Sequence, residues 1–379
     1  MKSLVVEGWR FFPHSYAMVS QHFCLELLTR PEIRLFFREM PFVADVPRSP
    51  EMWPPEVDRA LRGLAERPAD LGPDAVLRID WPHRFTPDPA AGRTFVWGTT
   101  EYKMVETASV AEKRPAREVL PGVRSTIIAC SNWARAGFVN CGAPADRVVV
   151  VPCGADTGVF HPLPADQRTA LRKELGWEGK FVLLNVSAMT GNKGIPVLFK
   201  AAAALAARVP QVLIALKGSD DLYASGRRAE GCMAELSPAE RNRVRPCMWY
   251  AGQTLSTQRM AQLMQAADAY VSPYHAEGFN LPVLEAMACG LPVICTRGGS
   301  TEDFVCDDFA LRINSYEQEF EEGKRALVPN PVHLGELLRR VVTDGAFRQR
   351  AAAAGPEWVR SRFTWKHATD QLLKVLFPD

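Results

Sequence analysis

Residues 277–305 read EGFNLPVLEAMACGLPVICTRGGSTEDFV. Two glutamates, Glu277 and Glu285, flank a loop and the start of a predicted helix. Asn280 is a side chain that caps helices, and Pro282 falls in the first turn, where a missing N–H costs nothing. Gly290 supplies the stop. Leu291 to Thr296 (LPVICT) then reads as a short buried parallel strand, closed by a turn at Gly299. A helix N-terminus preceded by a glycine loop attracts anions, because free N–H groups and the dipole both point at them. At ~1.5 Å per residue, Glu285 lies at most about 12 Å along the axis from Glu277. That suits one carboxylate at each end of an elongated ligand, with a diphosphate between. Carboxylates accept from hydroxyls, so both ends of the ligand carry vicinal hydroxyls. A nucleotide-sugar fits, with its hexose at Glu277 and its ribose at Glu285.

Size and composition bound the rest. The chain has 379 residues, enough for two ordinary domains. It is 47% hydrophobic and 23% charged, as soluble globular enzymes are. The formal net charge is +2 and the basic residues are scattered, which argues against nucleic acid. Nine cysteines, dispersed and without a Cys-x-x-Cys pair, argue against a zinc site or a disulfide framework, and point to a reducing cytoplasm. MKSLVVEGW has too short an apolar run for a signal peptide, and no stretch approaches a membrane span. Peripheral contact at the inner face of the membrane stays open.

Apolar runs alternate with helical spacing along the chain. Strands are predicted at Leu4–Gly8, Arg34–Met40, Ala75–Ile79, Thr94–Trp97, Thr126–Cys130 and Arg147–Pro152, with helices at Tyr16–Leu28, at Val57–Glu66 and from Ser131. A second series has strands at Phe181–Val186, Val212–Leu216, Met248–Ala251 and Ala269–Ser272, with helices at Pro196–Ala207 and Ser256–Ala266. Phe363–Leu376 is amphipathic. Such alternation means parallel, doubly wound sheets.

EGFNLPVLEAMACGLPVI resembles the Glu-x7-Glu signature of the family-4 retaining glycosyltransferases, which have the GT-B fold. That resemblance implies two Rossmann-like domains facing across a cleft. The first, 1–157, takes the acceptor, and a final helix, 361–379, packs back on it. The second, 158–360, takes the donor. CGADTGVFHP (Cys153–Pro162) is similar to the family's "NGVDxxxFxP" hinge. In the family the first Glu and the amides that follow hold the donor hexose, here Glu277, Gly278, Phe279, Asn280 and Leu281, and the second, here Glu285, binds the ribose. AMTGNKG matches "R-x4-K-G", so Lys193 meets the diphosphate, while the family arginine falls on Ala188. By the same likeness the strand ends at Leu216–Tyr223 and Tyr250–Leu255, with Gly252, line the base pocket. Thr301 and Glu302 offer backbone N–H groups to the phosphates.

The first domain departs from the family. Its first strand is followed by GWRFFPHSYA, so Ser15 and Tyr16 stand where a Gly-Gly loop is usual. His14, Ser15, Tyr16 and His83 are candidates for acceptor or phosphate contact. WGTTEY puts Thr100 and Glu101 where many relatives have a histidine, which makes Glu101 a catalytic candidate beside Glu277 and Lys193. The expected reaction moves a hexose from a nucleotide-diphosphate sugar to an acceptor hydroxyl with retention, giving an α-bond. No Asp-x-Asp motif is present, so no metal and no separate cofactor are expected. A UDP-sugar is favoured over a GDP-sugar, and the acceptor is a glycan, a lipid-linked group or a small molecule. A nucleotide-sugar epimerase of the same fold, or a binder without catalysis, are the alternatives. No Gly-x-Gly-x-x-Gly follows the first strand, which sets aside a dinucleotide dehydrogenase.

Overall fold

The computed structural model describes residues 1–378. The chain divides into two compact units. One comprises Met1–Gly154, Glu321–Lys324 and Trp365–Asp379, and the other Ala155–Phe320 and Arg325–Thr364.

The first unit is a six-stranded parallel sheet of order β2-β1-β3-β4-β5-β6. Its strands are β1 (Lys2–Gly8), β2 (Ile33–Glu39), β3 (Ala75–Ile79), β4 (Arg93–Gly98), β5 (Thr126–Ala129) and β6 (Val148–Val150). The central strands are buried over most of their length because helices cover both faces. Helix α1 (Ser15–Leu28) buries Ala17, Val19, Phe23 and Leu27. Against it packs the C-terminal helix of the chain, Trp365–Leu376. There His22 stacks on Trp365 at 4.6 Å and 6°, and Arg30 meets Asp370 at 2.5 Å. A buried ionic cluster ties β1 to β3: Glu7 accepts from Arg78 at 3.0 Å and from Arg84 at 2.9 Å, and Arg84 also reaches Asp80 at 3.1 Å.

The second unit is a six-stranded parallel sheet of order β12-β11-β10-β7-β8-β9. Its strands are β7 (Phe181–Val186), β8 (Val212–Lys217), β9 (Met248–Ala251), β10 (Ala269–Ser272), β11 (Val293–Thr296) and β12 (Ala310–Ile313). Leu183, Ile195, Phe199, Ile214, Leu216, Leu334 and Phe347 belong to one core on the face that carries helix α2 (Ile195–Ala206). A polar antiparallel hairpin, β13 (Ser315–Glu319) and β14 (Arg325–Pro329), follows β12. The predicted strands at Phe181–Val186, Met248–Ala251 and Ala269–Ser272 are observed with those bounds. The hairpin and β12 were not expected.

In both sheets strand order reverses once, between β1 and β3 and between β7 and β10. A crevice opens outside the carboxyl ends of strands at such a switch point, and that is where doubly wound sheets bind ligands. No helix among the described residues is long and apolar enough to cross a membrane.

Candidate active site

In the second unit the loops after β7 and β10 meet at the switch point. The β7 loop ends in a 3₁₀ turn, Gly191–Lys193, and Gly194 then starts α2 from a left-handed conformation, φ 66° and ψ 29°. A Cβ on Gly194 would lie 1.9 Å from the carbonyl oxygen of Pro273, so only glycine lets the two loops close. Asn192, almost fully buried, stitches them. Its carbonyl accepts from His275 N at 2.7 Å, and its Nδ2 donates to Ala276 O at 2.9 Å. This fixes the neighbours on either side, Lys193 and Glu277, which form an ion pair of 3.0 Å.

Helix α3 (Leu281–Ala288) begins just beyond, as expected. Its entry differs from the reading as a side-chain cap. Asn280 is left-handed, φ 77° and ψ 62°, and its Nδ2 donates to Ser272 Oγ at 2.9 Å instead of its oxygen capping the helix. Asparagine tolerates this conformation where other side chains clash. The amides of Phe279, Asn280 and Leu281 make no hydrogen bond within the described residues, so they form a cluster of donors at the positive end of a helix. Phe279 is buried against Phe304, with ring centroids 4.9 Å apart.

Glu285, one turn into α3, is half-buried, and its carboxylate has no hydrogen bond or ion pair among the described residues. Burial first, and then the neighbouring Asp156, push it up to about 7. Asp156 itself holds the turn at Cys153–Pro162, accepting from Gly158 N at 2.9 Å.

Two other expected contacts are spent inside the protein. Thr301 is fully buried: its hydroxyl meets Tyr274 Oη at 2.8 Å and its amide points at the same oxygen, 3.5 Å away. Its part is to hold the loop after β11, where Gly299 packs so closely that a Cβ would lie 2.4 Å from Tyr274 Oη. The amide of Glu302 donates to Gly299 O at 3.1 Å, while its carboxylate accepts from Gly298 N at 3.0 Å and from Arg312 at 2.9 Å. Gly252, at the end of β9, accepts from Asp220 N at 2.9 Å, and a Cβ there would strike Asp220 Oδ2.

In the first unit the switch point brings together the start of α1 and the loop after β3. Tyr16 Oη lies 3.4 Å from His83 Nε2 and accepts from Thr99 N at 3.3 Å. His83 is 1% exposed, so it is not on the rim where the sequence suggested a ligand contact; a Cβ on Gly98 would reach within 2.7 Å of its ring. Burial pushes His83 down to about 4. His14 caps α1, its Nδ1 accepting from Tyr16 N at 3.2 Å, and burial also pushes it down to about 4. Both rings are therefore neutral at neutral pH, and any contact they make with a phosphate or acceptor is as neutral imidazoles. Tyr16 is buried and its phenol raised by that burial, while Ser15 is exposed at the helix start. Arg84 is held by Glu7 and Asp80. Glu101 is half-buried, and its carbonyl accepts from Trp133 Nε1 at 2.7 Å.

Sequence signals missed Asn192 and Lys217, a buried lysine at the end of β8. A lone polar residue beside a glycine has no periodicity to betray it.

Two nucleotide-type switch points, one furnished with a lysine, two carboxylates and a helix start, define a Rossmann-type ligand-binding protein of two sheets. Comparison narrows this. The profile of the family described as "Glycosyl transferases group 1" matches residues 167–358, and the chain belongs to that family. A D-inositol 3-phosphate glycosyltransferase of Xylanimonas cellulosilytica is 30% identical over 239 residues, covering 62% of this chain and 52% of that protein. The chain spans about half the length of the curated relatives it matches. Among solved structures, sucrose-phosphate synthase from Thermosynechococcus elongatus superposes with a TM-score of 0.71 at 18% identity, over 99% of this chain and 98% of its own. Anabaena HepE, solved with UDP and glucose, gives 0.70 at 16% identity, over 99% of both chains. The fold is thus GT-B, two Rossmann-like units.

Proposed function

We propose that this protein is a retaining glycosyltransferase that moves a hexose from a nucleotide-diphosphate sugar to an acceptor hydroxyl, forming an α-glycosidic bond. The observation that carries the reading is the Lys193–Glu277 pair, set at a switch point beside the open amides of α3. The names of the relatives and the UDP bound to HepE support it.

In this reading Glu277 accepts from the hydroxyls of the hexose and Glu285 from those of the ribose. The bond between C1 of the sugar and the diphosphate oxygen breaks, and its electron pair stays on that oxygen. Lys193 and the amides of Phe279, Asn280 and Leu281 face the charge that develops, where preorganised donors lower a barrier most. The acceptor oxygen bonds to C1 from the face the diphosphate leaves. Its proton passes to the departing phosphate oxygen, so the step needs neither a separate enzyme base nor a metal. A UDP-sugar is the favoured donor. The acceptor, a glycan, lipid-linked group or small molecule, is taken up by the first unit near Tyr16 and Glu101. The reading places the enzyme in the cytoplasm, at the inner face of the membrane where the acceptor is lipid-linked.

The test is to incubate the protein with UDP-, GDP- and ADP-sugars and a panel of acceptors, following free nucleotide diphosphate and the product anomer by NMR. Acceptor-dependent release with an α product is expected. An epimerised nucleotide-sugar formed without acceptor, or donor binding without turnover across the panel, would overturn it.

A further inference from the structure

A diphosphate diester carries about two negative charges and gains another as it leaves. Lys193 is already matched by Glu277, so the pair brings no net charge. Other cations at the carboxyl ends of the second sheet are few. Arg312 is bound to Glu302 and Asp307, and Arg297 is exposed beyond β11. Position 188, five residues before Lys193 in the β7 loop, is alanine.

Lys217 is different. It is the last residue of β8, the strand next to β7, in register with Val186. Its carbonyl accepts from Ser187 N at 3.0 Å, so its backbone is bonded to the residue just before Ala188. The side chain is 6% exposed. Of the three donors of its ammonium group, one goes to the carbonyl of Gly218, and no carboxylate lies within ion-pair distance among the described residues. Asp220, the nearest acid in sequence, has one oxygen taken up by Tyr250 Oη at 2.6 Å and Gly226 N at 2.7 Å. A buried ammonium with so few partners is costly to keep unless something else meets it. Burial holds it down to about 8, with Asp220 and Asp221 pulling the other way, so it is still largely charged at neutral pH.

We propose that Lys217 is the second cation of the donor site, meeting the diphosphate from the neighbouring strand end and supplying the charge that residue 188 lacks. The proposal rests on the donor reading above.

The experiment is calorimetric titration with UDP, GDP and ADP of the wild type and of Lys217→Met, Lys193→Met, Ala188→Arg and the double variant Ala188→Arg/Lys217→Met. Thermal melting is recorded alongside. For the nucleotide that binds best, Lys217→Met is expected to weaken affinity at least tenfold, and Ala188→Arg to restore most of that loss. Unchanged affinity in Lys217→Met while Lys193→Met weakens binding would overturn the proposal and leave the donor reading standing. A loss in Lys217→Met that Ala188→Arg does not restore would also overturn it, by making the lysine structural. Unchanged affinity in both methionine variants would overturn the donor reading and this proposal together.

Discussion

Lys193 Nζ stands 3.0 Å from a carboxylate oxygen of Glu277, although the two residues follow different strands. They meet because Asn192 bonds across the crevice to His275 and Ala276 while Gly194 lets the Pro273 carbonyl come close. The pair is thus set by backbone geometry, and its chemistry is separable from the fold.

Replacing Lys193 with alanine is accordingly expected to spare folding and lower kcat by roughly 10²-fold or more, as loss of one transition-state donor does elsewhere. Ground-state donor binding should fall less. Steady-state kinetics with a saturating acceptor would show this, and equal small losses in kcat and in donor affinity would remove Lys193 from the leaving-group site.

Glu285 brings a pH dependence. Its carboxyl is raised to about 7 by burial and by Asp156. The ionised form is the stronger acceptor for ribose hydroxyls, so affinity for a nucleotide-sugar should rise between pH 6 and 8. The ligand-free protein behaves in the opposite sense: a carboxyl raised on folding contributes stability below its ordinary range, and that contribution is lost as pH climbs through about 7. Asp156→Asn, which removes the like charge, should move the binding profile to lower pH. Glu285→Gln should flatten it. A profile unaltered in both variants would assign the titration elsewhere.

Gly194→Ala tests the crevice itself. It combines a left-handed backbone with a Cβ placed 1.9 Å from a carbonyl oxygen. Destabilisation of at least about 2 kcal/mol is expected in denaturant unfolding. Gly191, whose Cβ would meet nothing within 4 Å, is the control and should tolerate alanine.

Metal chelation is the fourth prediction. On the proposed reading lysine and backbone amides face the leaving group, so transfer should proceed at full rate in EDTA. Recovery only on adding Mg²⁺ or Mn²⁺ would show that the diphosphate needs a charge these residues do not supply.

Much of this was legible in the sequence, for identifiable reasons. Phe181–Val186 and Ala269–Ser272 are mostly apolar runs bounded by turn residues, so composition and length leave one reading. The hairpin at Ser315–Pro329 hid because β13, SYEQE, is half-buried at one end and otherwise exposed, with no apolar face to show. Asn280 misled because asparagine serves two ends: it caps helices, and it also adopts the left-handed backbone found here. His83 looked like a rim residue since Asp80–Phe85 follows the end of a predicted strand and carries aromatic and basic groups. Only the packing of Tyr16, Phe85 and Phe138 around the ring shows it to be interior.

The first unit is assembled from both ends of the chain: His22 needs Trp365 to stack upon, and Arg30 needs Asp370. During synthesis, everything between residues 155 and 364 must emerge before those partners do. At about 5–20 residues per second, that is a delay of roughly ten to forty seconds. The second unit lacks only the short Glu321–Lys324 stretch from its own run of chain, so it can mature first, against the usual N-terminal order. Nascent chains stalled after residue 364 should therefore resist protease across the second sheet while α1 is still cut. Protection of α1 at that length would show that the first unit closes without its last helix.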